Sequence, residues 1–258
     1  MSEFSELFNL SGKNAIVTGG ANGIGKATAI MLAKAGANIV IADFKLEDAE
    51  KTASEISALG VKAIAVSCNV LKDEDLVNLV ETTLKELGGI EILINNAGGG
   101  GGGRENPFKI SVEDFKRDFD LNVFSAWRLC QLCVPHMKKS GYGSIVITTS
   151  MASINKSKNM SGYAASKASV NHMAANLAHD FGPEVRINAV GPGATRTAAL
   201  ETVLTPEIEA KMLSHTPIKR LGTAEDIAGA ILYFASPVSE WVSGQTLFVN
   251  GGGEQTLD

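Results

Sequence analysis

Residues 14–43, NAIVTGGANGIGKATAIMLAKAGANIVIAD, decide how the whole chain reads. Asn14 to Thr18 is a short apolar run between polar ends, which predicts a strand. Ile24, Ala27, Met31 and Ala35 recur at near-helical spacing, which predicts a helix over 24–35. Residues 38–43, NIVIAD, form a second apolar run. Gly19, Gly23 and Gly25 fill the turn between the first strand and the helix. Strand, tight turn, helix and strand in that order make a parallel βαβ unit.

The same alternation continues outward. A helix over 46–59 stops at Gly60, and a strand over 62–67 follows. A helix over 73–87 is closed by Gly88 and Gly89, and IEILIN, 90–95, is the fourth strand. Ser111 has a carboxylate three residues on, a capping pattern, and a long helix is expected from there to about Lys139. GSIVITTS, 143–150, is strand five and ends on Ser150. A helix over 161–181 and a strand over 185–190 come next. Thr205-Pro206 opens a short helical piece. A helix over 225–235 and a strand over 245–249 complete the chain. Strands apolar on both faces belong to a parallel sheet covered on both sides. The expectation is one doubly wound α/β domain of Rossmann type over 1–258, with a seven-stranded parallel sheet and helices on both faces. Ligands of such sheets bind at the carboxyl ends of the strands, where strand order reverses.

Composition narrows the partners. The chain has 258 residues, 45% hydrophobic and 20% charged, with a net charge of −5, so nothing electrostatic points to nucleic acid. No run approaches the ~18 apolar residues of a membrane span. The start, MSEFSELFNL, lacks the basic and apolar regions of a secretory signal. Three cysteines fit a reducing compartment, hence the cytoplasm. Cys130 and Cys133 fall mid-helix beside Leu129 and Leu132, a place for core cysteines rather than a redox pair. His136, His172, His179 and His215 show no metal-ligand spacing, so no catalytic metal is expected. Of the 27 glycines, six form the run 98–103.

The first turn carries a specific chemistry. Glycines between strand and helix allow a tight turn and a close approach of backbone to pyrophosphate, which the helix N-terminus then attracts. Gly19, Asn22, Gly23, Ile24 and Gly25 are therefore candidates to hold a dinucleotide. Asp43, ending strand two, can accept hydrogen bonds from the adenosine ribose hydroxyls and would repel a 2′-phosphate. The cofactor expected is NAD rather than NADP.

Tyr163 and Lys167 share a helix face four residues apart, and Ser150 lies at the same sheet edge. A secondary alcohol losing hydride must also give its hydroxyl proton to a base. A phenol has pKa about 10. An ammonium about 4 Å away contributes about 4 kcal/mol at an effective dielectric of ~20, enough to lower that pKa by up to ~3 units before desolvation subtracts some. Ser150 can hydrogen-bond the substrate oxygen. Asn122, polar within an apolar helix, reads as a local hydrogen-bonding residue, holding a water, or as a surface asparagine.

With TGGANGIG, NNAG (95–98), Asn122-Val123, Ser150, YAASK (163–167) and Pro192-Gly193 in order, the chain resembles the short-chain dehydrogenase/reductases over its whole length. The resemblance implies that Asn122, Ser150, Tyr163 and Lys167 form the catalytic tetrad. It implies that Asn96, Ala97 and Gly98 border the cofactor, and that Lys167 also holds the nicotinamide ribose. Pro192, Gly193 and Thr197 match the segment at the nicotinamide end. Asn69 and Val70 follow strand three beside the adenine, with Asn69 where the family often has aspartate.

Within that family, NNAGGGG, LNVFSAWRLCQL, TTSMASINKSKNMSGYAASK and LTPEIEAKMLSHTPIKRLGTAEDIA resemble the bacterial NAD-dependent 7α-hydroxysteroid dehydrogenases. That resemblance implies a homotetramer oxidising the 7α-hydroxyl of bile acids such as cholate. It places Gly99, Ser150, Asn155 and Tyr163 against the steroid. Residues 193–216, with Leu200, Val203, Leu204, Ile208, Met212 and Leu213, are expected to form a lid over an apolar substrate or simply to pack against the body. A 3-oxoacyl-carrier-protein reductase and a sugar or polyol dehydrogenase of the same family are the alternatives. Carrier-protein reductases of the family generally use NADPH, and Asp43 speaks against that.

Overall fold

A computed structural model describes residues 6–100, 105–202 and 204–253. Seven strands build one sheet: β1 (Asn14–Thr18), β2 (Asn38–Asp43), β3 (Ala63–Ser67), β4 (Ile92–Asn95), β5 (Gly143–Thr148), β6 (Val185–Pro192) and β7 (Thr246–Val249). All are parallel, in the order β3-β2-β1-β4-β5-β6-β7. The chain therefore steps outward from β1 to β3, returns past β1 to β4, and steps out the other way. The seam between β1 and β4 is the point where strand order reverses. Ligands of such sheets lie there, at the carboxyl ends.

Successive strand residues point to opposite faces, and the core divides accordingly. Ile16, Val40, Leu93 and Ile145 join one apolar layer with α3 (Asp73–Leu87), α5 (Ser125–Ser140) and α6 (Ser161–Phe181). Val17, Ile39, Ile41, Ile94 and Val146 join the other with α1 (Gly23–Lys34), α2 (Leu46–Ser57) and α9 (Ala224–Ala235). The expected doubly wound α/β architecture with a seven-stranded parallel sheet is the observed one.

Several expected boundaries shift by a residue or two, and the larger departures have physical reasons. The long helix begins at α4 (Val112–Phe119), with Ser111 Oγ accepting the Asp114 N–H. It is then interrupted by a π turn, Asp120–Phe124, in which the Ser125 N–H reaches back to the Asp120 carbonyl. Strand β5 ends at Thr148, not Ser150. The Thr149 N–H still pairs with the Val190 carbonyl at 2.8 Å, but Ser150 caps a short 3-10 turn, Met151–Ser153. Strand β6 runs on through Pro192, whose missing N–H is no loss because Gly193 makes the next bond, to Val249 O. The segment after β6 holds two helices, α7 (Ala198–Glu201) and α8 (Pro206–Ser214), the second capped by Thr205 as expected. Among the described residues no helix is long and apolar enough to cross a membrane.

Cys130 and Cys133 are fully buried in the first layer, and burial pushes the Cys130 thiol up to about 12 and Cys133 higher still. Neither is poised as a thiolate. Phe234 is among the largest fully enclosed side chains of the second layer. Phe234→Ala should cost about 3–5 kcal/mol, read as a lower urea midpoint at unchanged slope.

Candidate active site

The carboxyl ends of β1, β4 and β5 are tied together by two side chains. Thr18 Oγ1 accepts the N–H groups of Asn96 and Ala97, both at 3.0 Å, and donates to Ile94 O at 3.3 Å. Asn96 Nδ2 donates to Thr18 O at 3.1 Å and Gly19 O at 3.3 Å, while its Oδ1 accepts from Thr148 Oγ1. The glycine turn rests on this frame. Gly19 has φ +60, and a Cβ on Gly25 would run into the Gly19 carbonyl oxygen. Glycine is required at both, the first for its backbone and the second for close packing of helix on strand.

Asp43 stands beside the turn, buried at 8% exposure. Its Oδ2 accepts the Ala21 N–H at 3.2 Å and its Oδ1 the Lys45 N–H at 3.1 Å. Among the described residues no salt bridge reaches it: Lys45 Nζ lies over the Phe44 ring instead. A carboxylate held at this point suits a pair of ribose hydroxyls and repels a phosphate.

From this turn a cleft of about 570 Å³ runs along the sheet edge, lined by Asn22, Gly23, Ile24, Asn96, Gly98, Gly99, Ser150, Tyr163, Lys167, Pro192, Gly193 and Thr197 among others. The sequence candidates thus converge on one cleft. Gly19, Gly25, Ala97 and Asp43 shape its rim rather than its wall. Asn69 and Val70 do not join it. Asn69 Oδ1 closes its own turn onto Leu71 N, and Val70 faces a separate depression with Arg117 and Phe124. Of the glycine run, 101–103 lies outside the described residues, as does Val203 of the expected lid.

Lys167 is buried at 4% exposure, its Nζ donating to Thr148 O at 2.8 Å and standing 5.9 Å from the Tyr163 ring centre. Desolvation lowers its pKa to about 8. The expected downward pull of this lysine on Tyr163 is accordingly not what dominates. Burial raises the Tyr163 phenol, a hydrogen bond with the Ser150 side chain lowers it, and Asp118 and Glu105 raise it further. An ammonium that is itself short of solvent has spent part of its charge advantage.

Asn122 is 2% exposed, so it is no surface asparagine. Its Oδ1 accepts the Gly99 N–H at 3.1 Å, and its Nδ2 donates to Gly99 O at 2.9 Å and Ser166 Oγ at 3.0 Å. The π turn aims it there. Its hydrogen-bonding task is to clamp the backbone after β4, and these three bonds use both amide hydrogens and one oxygen lone pair.

Beside Ser150 a second pocket of about 180 Å³ opens, lined by Met151, Met160, Leu200 and Met212 with Asn155. The Asn155 amide nitrogen is buried without a hydrogen-bond partner, which in a native protein calls for a ligand or water. Leu200 and Met212 come from the segment expected to cover the substrate. Sequence reading missed the three methionine and leucine walls as a set, because they gather from three separate segments. It also missed Glu105, whose carboxylate accepts the Gly162 N–H at 2.6 Å at the start of α6. No local pattern near Glu105 announces a helix start more than fifty residues away.

The chain is similar to known proteins over its whole length. Residues 19–254 match the family model described as Enoyl-(Acyl carrier protein) reductase. The 7alpha-hydroxysteroid dehydrogenase of Escherichia coli (strain K12) is 48% identical over 255 residues, covering 98% of this chain and 99% of its own length. The cyclohexanol dehydrogenase of Acinetobacter sp. (strain SE19) is 35% identical, with 96% of each chain covered. A solved 7α-hydroxysteroid dehydrogenase complexed with NADH and 7-oxo glycochenodeoxycholic acid superposes with a TM-score of 0.95 at 46% identity, covering 100% of both chains.

Because Asn122 satisfies both polar groups of Gly99, Asn122→Ala leaves them half-buried at the cleft wall without that partner. The expected loss is about 0.5–1.5 kcal/mol in thermal unfolding, accompanied by weaker turnover because the cleft wall loosens.

Proposed function

The chain belongs to the short-chain dehydrogenase/reductase family, and from that premise we propose that it oxidises the 7α-hydroxyl of bile acids such as cholate to the ketone with NAD. The observation that carries the reading is the meeting of Ser150, Tyr163 and Lys167 between the dinucleotide cleft and an apolar pocket with one unpaired amide donor. When bound, NAD supplies the hydride acceptor. Gly19, Gly23 and Gly25 give its phosphates a turn free of side chains, Asp43 takes the adenosine ribose, and Lys167 takes the ribose nearer the reacting carbon.

Ser150 holds the substrate oxygen and Tyr163 accepts its hydroxyl proton. Ser150 and Tyr163 line the same cleft, which lets both act on the same oxygen. Lys167, fixed by Thr148 O, keeps positive charge near the phenolate as it forms. Burial raises Tyr163, so oxidation should quicken as pH rises. Asn122 fixes Gly99 and with it the wall facing the substrate. A rigid steroid needs an apolar wall and few polar anchors. Met151, Met160, Leu200 and Met212 give the wall, and Asn155 offers a donor to a steroid oxygen. In this reading 193–216 is the lid, and the chain folds as one domain over 1–258.

The working form we propose is a cytoplasmic homotetramer. Val112, Phe124 and Trp127 are exposed along the α4–α5 helix, an apolar face suited to a second copy. Three free cysteines, all buried, fit a reducing compartment.

The deciding test is NADH absorbance with cholate beside a bile acid lacking the 7α-hydroxyl. Signal with cholate alone is expected; signal with neither would move the assignment to the carrier-linked or polyol substrates. Tyr163→Phe should lower turnover by a factor of 10² or more, the scale of general base catalysis, while NADH binding by fluorescence persists.

A further inference from the structure

Glu105 and Asp118 bring two carboxyl groups together at the start of α6, and the proton transfer described above uses neither. Glu105 is 7% exposed. Its oxygens accept the Gly162 N–H at 2.6 Å and the Tyr163 N–H at 3.2 and 3.3 Å. Met160, at the head of the helix, supplies no side-chain cap, so Glu105 satisfies N–H groups that would otherwise stay unpaired. A carboxylate is the group a helix N-terminus favours.

Asp118 arrives from the last turn of α4. A Cβ on Gly162 would lie 2.7 Å from Asp118 Oδ2 and 3.4 Å from Glu105 Oε2. The two carboxyl groups therefore flank one glycine, the residue just before Tyr163. A Cβ on Gly100 would stand 2.5 Å from Asp118 Oδ1 and 3.2 Å from Tyr163 Cδ2. One missing methyl group separates Asp118 from the phenol ring. Among the described residues the charged groups acting on Asp118 are Glu105, Asp114 and Arg117. Tyr163 faces it from α6.

We propose that Glu105 and Asp118 share one proton, and that the charge of this pair sets the pH at which Tyr163 gives up its own. Both act as positioning residues: Glu105 holds the helix start that carries Tyr163, and Asp118 sets the field around it. The proposal rests on Tyr163 being the base. Two carboxyl groups so close do not ionise independently. Burial and Glu105 push Asp118 up to about 6. Below that pH, Asp118 keeps its proton and donates it to the Glu105 carboxylate, and the pair carries one negative charge. Above it, the pair carries two. The second charge opposes a phenolate forming alongside, and both carboxylates raise Tyr163.

Asp118→Asn keeps the shape and an N–H donor toward Glu105 but never carries the second charge. Tyrosinate absorbance is recorded by stopped-flow pH jump on the full chain without substrate. The same titration in a Tyr163→Phe background is subtracted, which isolates Tyr163. In D118N the Tyr163 midpoint should fall by about one pH unit. The acid limb of kcat for alcohol oxidation should move by the same amount, with KM for NAD unchanged. A midpoint that stays put, whether or not kcat drops, overturns the proposal and leaves Asp118 a structural residue. If D118N does not fold, Glu105→Gln carries the same test. There, 13C NMR should show the Asp118 midpoint falling while burial still holds it above the ordinary carboxylate range, and the Tyr163 midpoint should again fall. The tyrosine titration needs no bile acid. A shifted midpoint with no oxidation of cholate would retire the steroid reading alone.

Discussion

At the seam between β1 and β4 a single buried hydroxyl, Thr18 Oγ1, takes two backbone N–H groups and gives its own proton to Ile94 O. A parallel sheet has no hairpin to join neighbouring strands where order reverses. The ends of β1 and β4 would otherwise diverge, with their polar groups opening onto the cleft. Asn96 extends the joint to the glycine turn and to β5 through Thr148. From there it reaches the chemistry, because the carbonyl of Thr148 is what holds Lys167 Nζ. The cofactor turn and the lysine are thus supported by one small polar network, set between two apolar layers and open to the cleft at Asn96 and Thr148.

That network explains how a lysine is kept at 4% exposure without a carboxylate partner. A buried ammonium is expensive unless its hydrogens are taken up. Here a backbone carbonyl takes one, and the cost shows as a pKa brought down to about 8. The neighbouring phenol moves the opposite way under the same dry surroundings. Two groups of opposite charge type, nearly matched in water and both starved of it here, are pushed apart in proton affinity. Such a separation is how one site assigns different acid–base roles to neighbouring groups.

The parts of this arrangement that depend on short-range pattern were legible in the sequence. Residues 14–43 announced the βαβ unit because strand, glycine turn and helix follow within one window. Tyr163 and Lys167 were visible as a helix-face pair, and Asp43 as a strand-ending carboxylate. The parts that depend on distant chain meeting were not. Glu105 caps a helix from the far side of a glycine run. The Met151, Met160, Leu200 and Met212 wall is assembled from three segments. The π turn was hidden for a different reason. Its residues, Asp120–Phe124, keep a helical composition, and only the tertiary demand on Asn122 decides that the helix winds wider there.

The π turn ties an inward bond to an outward face. It houses one residue more than an α-helical turn, and Asn122 sits within it with both ends of its amide committed to Gly99. Downstream on the same helix, Leu129, Cys130, Cys133 and Met137 pack the core while Trp127 looks out. Remove a residue here and the turn closes to an ordinary α-helical one, so the helix beyond can keep its register only by moving the residues of the turn off Gly99. The clamp and the core then cannot both be kept. In the history of such a chain the extra residue is a ratchet: once the inward bond and the outward face both depend on it, single deletions are closed to drift, and change can enter only by substitution.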